Sequence, residues 1–72
     1  MVRFRVVDLR PGSDELEHEV TARSPEEAAE QAIGEKTVRG QRGKTDLLCR
    51  VYWQETRDTT NMVRLYRPGG EE

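Results

Sequence analysis

Hydrophobic and polar residues alternate in four segments of the chain, and each segment is predicted to be a β-strand. The first segment runs from Val2 to Leu9, where apolar side chains at every second position are separated by arginines. The second covers Leu16 to Ala22, the third Leu47 to Glu55 and the fourth Thr59 to Arg67. A period of two places successive side chains on opposite faces of a sheet, so each strand has one face for the core and one for solvent.

One helix is predicted between the second and third strands. Ser24 is a good N-cap, Pro25 suits the first helical position, and Glu27 completes a capping-box pattern. Gly34 is a natural C-terminal stop. A stripe of small apolar residues follows at helical spacing, and it consists of Ala28, Ala29, Ala32 and Ile33.

The order strand, strand, helix, strand, strand predicts an α+β fold, with a four-stranded sheet and one helix packed on one face. The domain is expected to cover 1–67, and 68–72 is expected to be a flexible C-terminal tail. Residues 35–46 contain two glycines and one sizeable apolar side chain, and they are predicted to form a mobile loop. The predicted core of the sheet consists of Val2, Phe4, Val6, Leu16, Val20, Cys49, Val51, Trp53, Val63 and Leu65. Leu48 and Arg50 alternate with Cys49 and Val51 and are predicted to lie on the opposite face.

Composition limits the classes of protein to which the chain can belong. It has 72 residues, of which 33% are hydrophobic and 36% are charged, so the core must be small. No apolar run is long enough to span a bilayer, and the first residues lack the apolar stretch of a signal peptide, so a cytoplasmic location is expected. A single cysteine rules out an internal disulfide and a cysteine-based zinc cluster.

The sheet face without the helix is predicted to be a partner-binding face. It would carry Arg3, Arg5, Arg50, Tyr52, Met62, Arg64 and Tyr66. Aromatic and arginine side chains are enriched where proteins contact one another, but they can also stack bases and hold phosphates. A third interpretation is that the arginines pair with Glu17 and Glu19 and only cover the sheet.

The leading functional prediction is a small non-enzymatic interaction module that binds a protein partner through this face, as a monomer or a homodimer. A nucleic-acid-binding module is an alternative. The formal net charge of −2 argues against it, because nucleic-acid-binding domains are usually strongly basic. No membrane association is expected.

Three basic residues of the predicted loop, Arg39, Arg42 and Lys44, form a candidate anion-binding site. Residues 43–45, Gly-Lys-Thr, match the end of a phosphate-binding loop, but Val38 occupies the position where that motif needs its first glycine. Residues 40–43 match the short GXXG pattern that clamps a nucleic-acid backbone between two helices. Because a strand is predicted to follow here, the pattern supports weak anion binding only.

No catalytic residue, metal ligand or cofactor is predicted. His18 is the only histidine, and it lies on the inward-facing register of the second strand without a cysteine or aspartate partner at ligand spacing. Cys49 is expected to be buried, where a thiol is inert packing rather than a nucleophile. No spacing of carboxylates suggests general acid–base chemistry, so the protein is not expected to be an enzyme.

The end of the chain has a distinctive pattern, because the last strand ends in Arg64-Leu65-Tyr66-Arg67 and leads through Pro68 into Gly69 and Gly70. This tail and the order of the elements resemble those of the ubiquitin-like β-grasp proteins. The resemblance implies that the first and last strands pair in parallel. It also implies a ubiquitin-like modifier or sulfur carrier: removal of Glu71 and Glu72 would free the Gly70 carboxylate for adenylation, followed by transfer to an amine or conversion to a thiocarboxylate.

Overall fold

The computed structural model describes residues 1–12, 14, 16–39 and 46–68 of the chain. This part of the chain forms one helix and five strands. The elements, in chain order, are β1 (Val2–Asp8), β2 (Glu17–Ala22), α1 (Pro25–Ile33), β3 (Val38–Arg39), β4 (Leu47–Thr56) and β5 (Thr59–Tyr66). The predicted helix and all four predicted strands are present, with ends that differ from the predicted ones by one residue or less.

The strands form a single antiparallel sheet in the order β2-β1-β4-β5-β3, with α1 packed against one face. This confirms the α+β fold with one helix on one sheet face. The predicted number of four strands was wrong, because Val38 and Arg39 pair with Tyr66 and Leu65 as a fifth strand at the sheet edge. Two residues are too few to show an alternating pattern, so this strand was predicted as loop.

The pairing of the first and last long strands differs from the one that the β-grasp resemblance implies. β4 lies between β1 and β5, and every pairing between described strands is antiparallel. The β1–β2 and β4–β5 hairpins therefore meet through β1 and β4, side by side. The parallel pairing of β1 with β5 that the resemblance implies is absent from the sheet of the described residues.

The helix begins and ends at the residues that the capping pattern predicts. The Ser24 hydroxyl accepts a hydrogen bond from the Glu27 amide at 3.1 Å, and the Glu27 carboxylate accepts one from the Arg23 amide at 3.0 Å. Gly34 adopts the left-handed conformation, with φ 74°, and its amide donates to the Glu30 carbonyl at 2.9 Å. Polar groups at both ends of α1 are thus satisfied by nearby residues, as a short helix requires.

The core lies between α1 and the sheet. Its buried members are Phe4, Val6, Ala22, Ala28, Ala29, Ile33, Leu48, Cys49, Val51 and Leu65. Three further predicted members, Val20, Trp53 and Val63, are partly buried and pack against it. The other two are exposed: Leu16 is 59% exposed because it precedes β2, and Val2 is 40% exposed at the start of β1. Leu48, expected on the opposite face, is buried instead, because the β4–β5 register shifts between Leu47 and Cys49. A shift of one residue exchanges the faces to which side chains point.

The helix α1 has nine residues, and no helix in the described part of the chain is long and apolar enough to cross a membrane.

Candidate interaction surface

The face of the sheet opposite α1 is not covered by any other described element, and we call it the open face. Alternation along the strands and the registers between them determine which side chains it displays. They are Arg3, Arg5 and Val7 from β1; Glu17, Glu19 and Thr21 from β2; Val38 from β3; Leu47, Arg50, Tyr52 and Gln54 from β4; and Thr60, Met62, Arg64 and Tyr66 from β5. All seven residues of the predicted partner-binding face are therefore on the same side of the sheet.

Arg5 and Tyr52 contact each other in the middle of the open face. They are direct neighbours across β1 and β4, and the Arg5 guanidinium carbon lies 5.1 Å from the centroid of the Tyr52 ring. This geometry is that of a cation–π contact. Arg5 also approaches Glu17, with 3.9 Å between Nε and Oε1 and both side chains more than half exposed. The cation–π contact with Arg5 orients the Tyr52 ring. The Arg5–Glu17 ion pair is so exposed that it stabilises the fold little.

Arg50 and Arg64 are direct neighbours across β4 and β5, and both belong to the open face. Arg64 is exposed and Arg50 is partly buried. Within the part of the chain that the structure describes, neither side chain forms an ion pair, and the Arg50 Nε–H is enclosed without a hydrogen-bond acceptor. Like charges directly opposite each other destabilise a strand pair, and an enclosed donor without an acceptor adds to the cost.

The interpretation that the arginines only pair with glutamates of β2 therefore applies to Arg5 alone among the described residues. Arg50 and Arg64 lie on β4 and β5, and β1 separates them from Glu17 and Glu19. Val7 occupies the β1 position between Glu17 and Arg50 in the same row of the sheet. The open face thus has an acidic rim on β2 and a basic centre on β4 and β5.

A cleft opens at the end of the sheet where β1 and β4 separate. Their pairing ends at Arg5 and Tyr52, although both strands continue beyond these residues. The cleft has a volume of about 180 Å³ and is lined by Arg3, Phe4, Arg5, Glu19, Tyr52, Trp53, Gln54 and Thr60. On the core side, Phe4 and Trp53 pack edge to face, with ring centroids 5.5 Å apart. The cleft is continuous with the open face, and most of the side chains that line it are polar.

The predicted anion-binding loop is only partly within the described residues. Arg39 belongs to β3, and its Nε donates to the Glu26 carboxylate of α1 at 2.6 Å. The side chain is therefore on the helix side of the sheet and neutralised there. Arg42 and Lys44, with the two short motifs at 40–45, lie outside the described residues, as do Gly69 and Gly70 of the predicted conjugation tail.

A cluster of ion pairs at the opposite end of the sheet was missed by the sequence analysis. Arg10 donates to Asp8 Oδ2 at 2.9 Å and to Glu35 Oε2 at 2.8 Å. Arg67 approaches Glu35 at 3.5 Å and Asp46 at 3.8 Å. The cluster connects the ends of β1, α1 and β5 with the start of β4. Except for Asp8 and Arg10, its members are too distant in sequence for any local pattern to reveal it.

Asp8 is the buried member of this cluster, with an exposed fraction of 4%. Hydrogen bonds from Arg10 hold the pKa of the Asp8 carboxyl below its ordinary value, although burial acts in the opposite direction. The same bonds, with that to Glu35, raise the pKa of the Arg10 guanidinium. Both groups therefore stay charged at neutral pH, which is how a buried carboxylate is tolerated.

Cys49 and His18 form no catalytic arrangement within the described residues. Cys49 is fully buried, and burial raises the pKa of its thiol to about 11, with a further contribution from the Asp8 charge. A thiol in this state is not a nucleophile at neutral pH. His18 is partly exposed on β2, opposite Val6. No group of three or more potential metal ligands occurs in the described ranges.

Comparison of the chain with models of protein families, with curated proteins and with solved structures finds no match.

Proposed function

We propose that this protein is a small interaction module that binds a protein partner through the open face of its sheet. The observation that carries the proposal is the direct opposition of Arg50 and Arg64, without a partner in the described part of the chain. The pair reduces the stability of the fold, so its presence on an uncovered face favours a role in binding. Residues that reduce stability without a structural role are typical of functional sites.

The neighbouring side chains favour a protein over a nucleic acid. Met62, which is 39% exposed, lies one row from the arginine pair, next to Tyr52. Methionine, tyrosine and arginine are the residues enriched in protein interfaces. A nucleic-acid strand crossing the face would bring its phosphates close to Glu17 and Glu19 on β2. A net charge of −2 also provides no long-range electrostatic attraction to a nucleic acid, on which such binding depends.

The experiment that tests this proposal is site-specific photo-crosslinking in the protein's native cells. A photoreactive residue at Met62 should capture a partner, while the same residue at Gln31, exposed on α1, should not. The captured partner is then purified, and its affinity is measured for the wild type, Met62→Ser and Gln31→Ser. Loss of affinity confined to Met62→Ser is the expected result. Equal affinity for all three chains would show that the open face is not the binding surface.

A ubiquitin-like modifier or sulfur carrier is the second candidate. It is supported by the order of the elements and by the exposed Arg67 and Pro68, which follow β5 at the surface. The sheet pairing gives it no support, since β4 separates the first and last long strands. The intact mass of the protein from its native cells tests it: a chain that ends at Gly70, or is linked through Gly70, would support it, and only full-length chain would exclude it.

A further inference from the structure

We infer that Arg50 and Arg64 together bind one carboxylate of an acidic side chain, which an extended segment of the partner protein inserts between them. This inference rests on the proposed function and specifies the chemistry of the partner. It predicts that the partner segment carries an aspartate or glutamate with apolar residues beside it.

The first argument is geometric. Residues directly opposite each other on one face of an antiparallel pair have Cβ atoms about 4.5–5.5 Å apart. Two arginine side chains that start this close can both reach a single carboxylate, each with its planar fork of N–H donors. Because both residues belong to hydrogen-bonded strands, their starting points are held by the sheet and not by a loop.

The second argument is energetic. The free protein places two positive charges side by side and leaves the Arg50 Nε–H enclosed without an acceptor in the described structure. A carboxylate placed between the two guanidinium groups supplies the missing negative charge and acceptors for their terminal N–H groups. The repulsion between the two facing charges is then relieved on binding, which increases the affinity for an anion specifically.

The surroundings of the pair decide which anion fits. Val7 flanks Arg50 on the β1 side, and the next row of the open face contributes Tyr52 and Met62. An acidic residue between apolar neighbours can therefore contact all of these side chains at once. A polyphosphate strand would extend beyond the pair towards Glu17 and Glu19, where like charges repel it.

An NMR titration at low ionic strength, where ion pairing is least screened, tests the inference. The probe is the peptide acetyl-Leu-Glu-Leu-Glu-Leu-amide, and the matched control is the peptide with both glutamates replaced by glutamine. The Nε–H signals of Arg50 and Arg64 should shift with the acidic peptide and stay in place with the control. Arg50→Gln and Arg64→Gln should each weaken binding about tenfold, whereas Arg23→Gln, at an exposed arginine outside the open face, should not.

Three results would overturn the inference. Equal shifts with both peptides would show that the contact is apolar. An oligothymidine of ten nucleotides that binds more tightly than the peptide would assign the pair to phosphate. A concentration-dependent dimer that Glu17→Gln abolishes would make a second copy the source of the carboxylate. If the crosslinked partner still requires Met62 in any of these cases, the proposed function stands and only the carboxylate contact is wrong.

Discussion

The ring of Phe4 in β1 meets the ring of Trp53 in β4 edge to face, with centroids 5.5 Å apart and planes inclined by 68°. The contact lies just beyond the last paired residues of these two strands, where the sheet opens into the cleft. It therefore holds together, from the core side, two strand ends that have no pairing with each other.

Replacement of Phe4 by leucine should lower the free energy of unfolding by about 1–2 kcal/mol, because the aromatic contact is lost and the smaller side chain fills the site incompletely. Fluorescence-monitored urea unfolding measures the change, and the emission of Trp53 should move to longer wavelength. Val2→Ala is the control, because Val2 is 40% exposed on the same strand and should change stability by less than about 0.5 kcal/mol. An unchanged Phe4→Leu midpoint would mean that the ring contact does not stabilise the strand ends.

Replacement of Arg50 by leucine should raise the free energy of unfolding, by about 0.5–2 kcal/mol. The substitution removes one of two facing charges and the enclosed donor, and it retains most of the apolar side-chain volume. Arg3→Leu, on the same face but without a facing arginine, should leave stability nearly unchanged. Urea unfolding of the three chains makes the comparison. A less stable Arg50→Leu variant would show that the charge of Arg50 has a structural role.

Replacement of Gly34 by alanine should cost about 1–2 kcal/mol, since an L-residue is strained in the left-handed conformation. An added Cβ would meet no atom within 4 Å, so the cost is that of the backbone alone. Gly34→Asn should cost less, because asparagine tolerates this conformation better. Thermal unfolding followed by circular dichroism ranks the variants, and equal melting temperatures would contradict the helix end described above.

The Asp8–Arg10 interaction should make stability depend on pH in the acid range. The pKa of Asp8 is lower in the folded chain than its ordinary value of 3.8, so the folded state binds this proton less readily than the unfolded state. The stabilisation is complete above that value and is lost as the pH falls through the lower folded pKa. At neutral pH, Asp8→Asn should cost about 1–3 kcal/mol, and the difference from wild type should shrink below pH 3.8.

Asp46→Asn is the control for this effect. Asp46 approaches Arg67 at 3.8 Å, but its side chain is 66% exposed, so the variant should lose less than about 1 kcal/mol. Urea unfolding at a series of pH values compares both variants with the wild type. A difference between wild type and Asp8→Asn that persists at the lowest pH would show that the carboxylate charge is not the source of the stabilisation.

The strands and the helix could be predicted because their signals are local. Alternation in Val2–Asp8 sets the direction of successive side chains. The cap residues Ser24 and Gly34 form hydrogen bonds with residues three or four positions away. The two-residue strand Val38–Arg39 could not be predicted, because it forms only by pairing with Tyr66 and Leu65 at the edge of β5. Leu48 was assigned to the wrong face for a similar reason, because its burial depends on a register shift between two strands.

For the candidate site, alternation along each strand was enough to predict which side chains share a face, because a period of two places every second side chain on the same side. It did not determine that Arg50 is opposite Arg64, that Arg39 pairs with Glu26, or that Asp8, Arg10 and Glu35 form one cluster. Except for Asp8 and Arg10, the residues in these contacts are 13 to 25 positions apart in the sequence. They arise only when the two hairpins pair through β1 and β4, because strand order and register bring together charges that no local pattern relates.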